Sequence, residues 1–131
     1  MATWQPLKKD VIDALAAEIL QNYSTGRIAV DGATGAGERE FAENLAVALR
    51  QSGRTVTVAT SDEDFDTDLL LVAGEALQGP ELAGGWRYAI WVEGDDDDSE
   101  YIRQVKPRMK ANAIIDNRDP EHPRRRFADS C

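Results

Sequence analysis

The sequence predicts an α/β domain of three layers, with a mostly parallel five-stranded sheet between helices. Three observations predict it. Short apolar runs recur along the chain and alternate with stretches of helical periodicity. The runs are nearly continuous in apolar residues, which suits parallel strands buried on both faces. The 131 residues are 42% apolar, enough for one domain with its own core. The expected division of this single domain is an N-terminal helix within residues 1–26, an α/β core over 27–116 and a tail over 117–131.

Each element has its own reason. Over residues 6–23, Leu7, Val11, Leu15, Ile19 and Tyr23 recur every fourth position. Ile12, Ala16 and Leu20 widen that stripe into the buried face of a helix. Pro6 suits a first turn and Gly26 a stop. Arg27 to Asp31 is a short apolar run that ends in glycines, a buried strand feeding a tight loop. From Gly37 to Gln51, Phe41, Leu45, Ala48 and Leu49 line one side of a second helix, and Gly53 ends it. The β-branched run Thr55 to Ala59 predicts a second strand. Asp68 to Ala73, Tyr88 to Val92 and Asn112 to Asp116 predict three more. Ser99 to Lys110 predicts a helix made irregular by Pro107. Residues 60–68 leave too little room for a full crossover helix, so that connection is expected to be short or irregular. The tail, with Pro120, Pro123 and Arg124-Arg125-Arg126, is expected to lie along the surface or fray.

Charge and composition exclude several functions. There are 15 basic and 24 acidic side chains, a net charge of −9, whereas a general nucleic-acid binder needs a basic face. No apolar run approaches the roughly 20 residues of a membrane span. Met1-Ala2-Thr3-Trp4-Gln5-Pro6 lacks the charged-then-apolar pattern of a signal peptide. One cysteine allows no internal disulfide, and one histidine argues against a His-rich metal site. A soluble cytoplasmic domain, monomeric or homodimeric, with no nucleic-acid or membrane partner is the expectation.

The most informative stretch is Gly32-Ala33-Thr34-Gly35-Ala36-Gly37-Glu38-Arg39, set between a strand and a helix. This is the setting of a phosphate-binding loop, in which glycines turn backbone N–H groups inward and the helix N-terminus adds partial positive charge. Gly32 and Gly37 match the spacing of G-x-x-x-x-G-K-[ST]. The next two positions do not. Glu38 stands where a lysine reaches the phosphates, and Arg39 where a hydroxyl holds magnesium. A like-charge pair at about 4 Å and an effective dielectric of about 20 costs about 4 kcal/mol. Gly32, Thr34, Gly35, Ala36, Gly37, Glu38 and Arg39 are the candidate nucleotide- or anion-binding residues. The competing reading is a tight strand-to-helix turn that binds nothing.

With these residues in view, the chain resembles bacterial uridine kinases and related nucleoside kinases of the P-loop class. The resemblance rests on Arg27 through Gly37 and Phe41-Ala-Glu-Asn-Leu-Ala, then Leu69-Leu-Leu-Val-Ala-Gly, and Pro80-Glu-Leu through Trp86 and Ile90-Trp-Val. It ends on Ala113-Ile-Ile-Asp-Asn-Arg-Asp-Pro-Glu-His-Pro-Arg, its most specific segment. It implies a three-layer P-loop NTPase-like fold. It also implies that Ser61-Asp62-Glu63-Asp64-Phe65 corresponds to a segment whose first aspartate attends the acceptor hydroxyl. Glu63 at that place is a catalytic candidate only if the chain is active. The departures fall on working parts. Besides Glu38 and Arg39, the nucleoside-binding stretch is absent, and Ala73 replaces an acidic residue before Gly74. The arginine-rich lid before the last strand is missing or reduced to Arg103, Lys106, Arg108 and Lys110.

Other clusters have plainer explanations. Asp95 to Asp98, with Glu93, suggests a cation loop, but consecutive carboxylates cannot converge on one ion. A solvated loop capping a helix is expected instead. The run Asp62, Glu63, Asp64, Asp66 and Asp68 reads as a solvated connection or an acidic docking surface. His122 reads as a surface histidine, and the three consecutive arginines as too isolated for DNA binding. Trp86 and Trp91 read as packing anchors.

The expected function is that of a catalytically degenerate relative of P-loop nucleoside kinases, acting through an unidentified protein partner or as a structural module. No metal or cofactor is expected. ATP and magnesium enter only in the alternative, a divergent phosphotransferase using the 32–37 loop with Arg39 as charge and Glu63 as base. A third reading makes Cys131 a modification or carrier site on the tail.

Overall fold

The computed structural model describes residues 8–23, 25–32, 37–59, 66–74, 86–94, 111–119 and 121–126. The element order is α1 (Lys8–Asn22), β1 (Gly26–Gly32), α2 (Glu38–Arg50), β2 (Val56–Ala59), β3 (Leu69–Gly74), β4 (Tyr88–Glu93), β5 (Ala113–Asp116) and β6 (Arg124–Arg126). The expected helix at 99–110 and most of the 60–68 connection lie outside the described residues.

α1 buries Ile12, Leu15, Ala16 and Ile19, the stripe read from its periodicity. At its end the Tyr23 N–H donates to the Ile19 carbonyl at 2.8 Å, and the Asn22 side chain adds a bond to the Glu18 carbonyl at 2.9 Å. α2 buries Phe41, Ala42, Leu45, Ala46 and Leu49. Glu38 and Glu40 in its first turn and Arg50 in its last both suit the helix dipole. Both helices join one core cluster with Ile28, Val30, Leu69, Leu71, Ile90, Val92 and Ile115. The alternate strand residues Ala29, Leu70, Val72 and Ala89 form a second cluster, with Ala59 and Trp86 against it. Burial on both faces is what parallel strands require. Each large apolar side chain so buried contributes about 1.5–3 kcal/mol. Trp86 and Trp91 do serve packing: Trp91 is 2% exposed, and the Arg27 guanidinium lies 5.7 Å from the Trp86 ring centre.

The sheet has six strands in the order β2-β3-β1-β4-β5-β6. The first four ladders are parallel, and β6 runs antiparallel to β5. The expectation of five strands is therefore corrected. The tail does not simply fray: Arg126 pairs with Ile114, Arg125 with Ile115 and Arg124 with Asp116. Side chains hold it there. The Asp116 carboxylate accepts from Arg126 Nε at 3.0 Å and Nη2 at 2.9 Å, and Arg125 Nη1 donates to Glu18 of α1 at 3.2 Å.

Strand ends also differ from expectation for local reasons. Thr55 and Asp68 were expected as the opening residues of β2 and β3. They clasp each other instead, with the Asp68 N–H donating to Thr55 Oγ1 at 2.8 Å and the Thr55 N–H to Asp68 Oδ2 at 3.2 Å. Asn112, expected in β5, uses its side-chain oxygen to accept the Ala89 N–H at 2.9 Å. Among the described residues, no helix is long and apolar enough to cross a membrane.

Candidate functional site

Topology selects the place. β1 lies between β3 and β4. The chain leaves β1 toward β2 on one side, while β4 leads to β5 on the other. The crevice between two such neighbouring strands, at their carboxyl ends, is where open α/β sheets bind ligands. Here that edge carries the end of β1, the start of α2, the end of β4 and the exit from β5.

Gly32 closes β1 and is still part of the ladder, opposite Val92. A Cβ on Gly32 would sit 3.2 Å from the Val92 carbonyl oxygen, and 3.2 Å from both Cβ and Oε2 of Glu38. Two consequences follow. A side chain at Gly32 would require Val92 or Glu38 to give by a few tenths of an ångström. The Glu38 side chain, at the first position of α2, turns back over the end of β1 with its carboxylate beside Gly32. Gly37 caps α2 with φ +83°, a left-handed conformation open to glycine at little cost. A Cβ there would lie 2.8 Å from Asn117 Nδ2.

Arg39 points elsewhere. Its side chain is 64% exposed and its Nε lies 3.7 Å from Glu43 Oε1, one turn along the helix. The structure thus brings Gly32, Gly37 and Glu38 together and leaves Arg39 on the outer surface. Thr34, Gly35, Ala36, Glu63 and Cys131 lie outside the described residues, as do Asp62, Asp64 and the run from Asp95 to Asp98.

Three buried polar side chains occupy the same edge: Asp31 at 1% exposure, Glu93 at 7% and Asn117 at 8%. The expectation that Glu93 belongs to a solvated acidic loop is corrected, because it is the buried last residue of β4, paired with Asp116 of β5. Arg118 stands 4.0 Å from Glu93 Oε2 and 3.9 Å from Asp116 Oδ1. Burial pushes the Asp116 carboxyl up. The Arg118 backbone N–H, the Arg126 side chain and the two nearby guanidinium charges outweigh that and hold it below the ordinary value. Asn117 was not singled out as a functional residue, although it sits in the segment Asp-Asn-x-Asp-Pro. Its backbone N–H donates to the Glu93 carbonyl at 2.9 Å, which ties the exit of β5 to β4 beside the second glycine of the loop.

At the two positions that follow Gly37, Glu38 presents its carboxylate beside Gly32 and Arg39 turns along the helix toward Glu43. Among the described residues, no group of three or more His, Cys, Asp or Glu side chains is placed to hold a metal ion.

No protein-family model matches the chain, and no curated protein matches it. Among solved structures, that of a possible uridine kinase from Bacillus stearothermophilus is similar, with a TM-score of 0.69. The match covers 82% of this chain and 98% of that one, at 15% identity. The fold is P-loop kinase-like. At that identity the likeness extends to the fold alone, and the P-loop kinase-like sheet explains why β1, its glycines and the start of α2 meet at the switch point.

Proposed function

We propose that this chain is a P-loop kinase-like fold whose anion cradle is filled by its own carboxylate, and that it works by binding a protein or as a structural module. One observation carries the reading: Glu38 folds back onto Gly32, with Oε2 3.2 Å from where a side chain there would begin. An acidic group in the first turn of α2 interacts favourably with the helix N-terminus, as a bound phosphate would. Glu38 is thus a built-in substitute for the ligand. Phosphoryl transfer depends on positioning and charge neutralisation, and both are missing where Glu38 and Arg39 stand. The alternative of a working phosphotransferase requires Arg39 at the loop, and its pairing with Glu43 gives that no support.

Restoring the missing groups tests the reading. The double variant Glu38→Lys, Arg39→Thr should bind magnesium–ATP by calorimetry where the parent does not. Removing about 4 kcal/mol of repulsion alone corresponds to about three decades in Kd. Equal binding by parent and variant would sink the proposal.

A further inference from the structure

A second pocket lies where β5 leads into β6, formed by different residues from the loop and independent of the reading above. It has a volume of about 130 Å³ and is lined by Asp116, Arg118, Asp119, His122 and Arg124. Residues 118–126 hold four arginines against Asp119 and Glu121, an excess of two positive charges on a molecule of net charge −9.

The acids of this pocket are already engaged. Asp116 accepts two bonds from Arg126 and one from the Arg118 N–H at 3.2 Å. Asp119 accepts the Glu121 N–H at 3.2 Å, and its other oxygen lies 3.1 Å from His122 Nδ1. The cations are less committed. Arg118 approaches its two carboxylates at 3.9 and 4.0 Å, within ion-pair range but beyond hydrogen-bond reach. Arg124 is exposed, and its guanidinium forms no hydrogen bond or ion pair with another described residue. The ladder sets Arg124 opposite Asp116, and Arg118 follows Asp116 by two positions. Two guanidinium groups with donors to spare therefore flank one small cavity, beside a histidine that adds a third donor when it is protonated. Guanidinium forks match the geometry of phosphate oxygens and bind them through paired, charge-assisted hydrogen bonds.

We propose that this pocket binds a phosphate group, either free or carried on a small molecule, through Arg118 and Arg124 with His122 at its side. The acids that share the cavity keep the affinity modest, in the millimolar range.

The test uses the whole chain, ¹⁵N-labelled, titrated with inorganic phosphate and separately with glycerol 3-phosphate. Saturable shifts are expected at the amides of Arg118, His122 and Arg124, with those of Gly32 and Gly37 unmoved. Arg124→Ala and Arg118→Ala should each weaken binding about tenfold or more. Arg124→Gln, which keeps a polar side chain on β6, should weaken it as well. The dispersion of each variant's amide spectrum reports whether the fold survives. Tighter binding of glycerol 3-phosphate would identify a carried phosphate as the ligand, and equal or weaker binding the free ion. Three results would overturn the site: no shifts at tens of millimolar phosphate, shifts confined to the 32–37 loop, or affinity unchanged in the arginine variants. Because the probes read separate amides, failure here leaves the Glu38 proposal standing, and the reverse holds too.

Discussion

At Gly37, backbone and side-chain constraints coincide: the residue has φ +83° and Asn117 Nδ2 occupies the space of a Cβ. Gly37→Ala should cost about 1–3 kcal/mol in urea unfolding, since a left-handed non-glycine residue is strained and Asn117 must move. A loss well under 1 kcal/mol would mean that the turn relaxes freely. A second residue-scale prediction concerns acid. Tyr88, 4% exposed, donates its hydroxyl to Glu18 Oε2. That bond lowers the Glu18 pKa; burial opposes it and Arg125 reinforces it. Burial, followed by the bond to Glu18, raises the Tyr88 pKa. Glu18 and Asp116 both titrate lower folded than unfolded, so their contribution is complete above the unfolded values of about 4. It is lost as pH falls through the lower folded values. The parent should therefore unfold at lower temperature below about pH 4, and Glu18→Gln should flatten its share of that slope. Tyr88→Phe should cost about 1 kcal/mol at neutral pH. An unchanged acid slope in Glu18→Gln would remove Glu18 as a contributor.

At the scale of elements, both sheet edges are guarded by arginine. β2 is one edge. Leu69 N–H donates to the Thr55 carbonyl, so the Val56 carbonyl faces away from β3 by the alternation of the ladder. Arg50, in the last turn of α2, donates to it from Nε at 3.2 Å and Nη2 at 2.9 Å. The other edge, β6, is short and carries Arg124, Arg125 and Arg126. Short, charged or covered edges prevent strand-to-strand association. Arg50→Ala should expose the Val56 carbonyl and raise the average mass with concentration in light scattering, relative to the parent. Identical behaviour would leave Arg50 only a helix-end role. The strands legible in the sequence are β1, β3, β4 and β5, continuous apolar runs whose burial follows from composition, and β2, a β-branched run. β6 was not legible, because three arginines have no apolar pattern. They form a strand on the free edge of β5, where Asp116 receives Arg126 and Glu18, far off in sequence, receives Arg125.

Across the whole molecule, one sheet with the order β2-β3-β1-β4-β5-β6 brings Gly32, Gly37, Asn117 and the buried Asp31 and Glu93 to a single edge. The loop's position and its two departures, Glu38 and Arg39, were legible as local sequence. That Glu38 turns inward and Arg39 outward was not, since rotamer and register decide it. The place of Asn117 was not legible for the same reason: only the fold brings the exit of β5 to Gly37 at the start of α2.

The central claim is that Glu38 already fills the cradle. It is tested most directly by following the amides of Gly32, Gly37 and Glu38 in the ¹⁵N-labelled parent while magnesium–ATP is added to millimolar concentration. A filled cradle predicts that these three signals stay in place while Glu38→Lys, Arg39→Thr shows saturating shifts at all of them. Micromolar, saturable shifts at Gly32 and Gly37 in the parent would contradict it and make the loop a working nucleotide site.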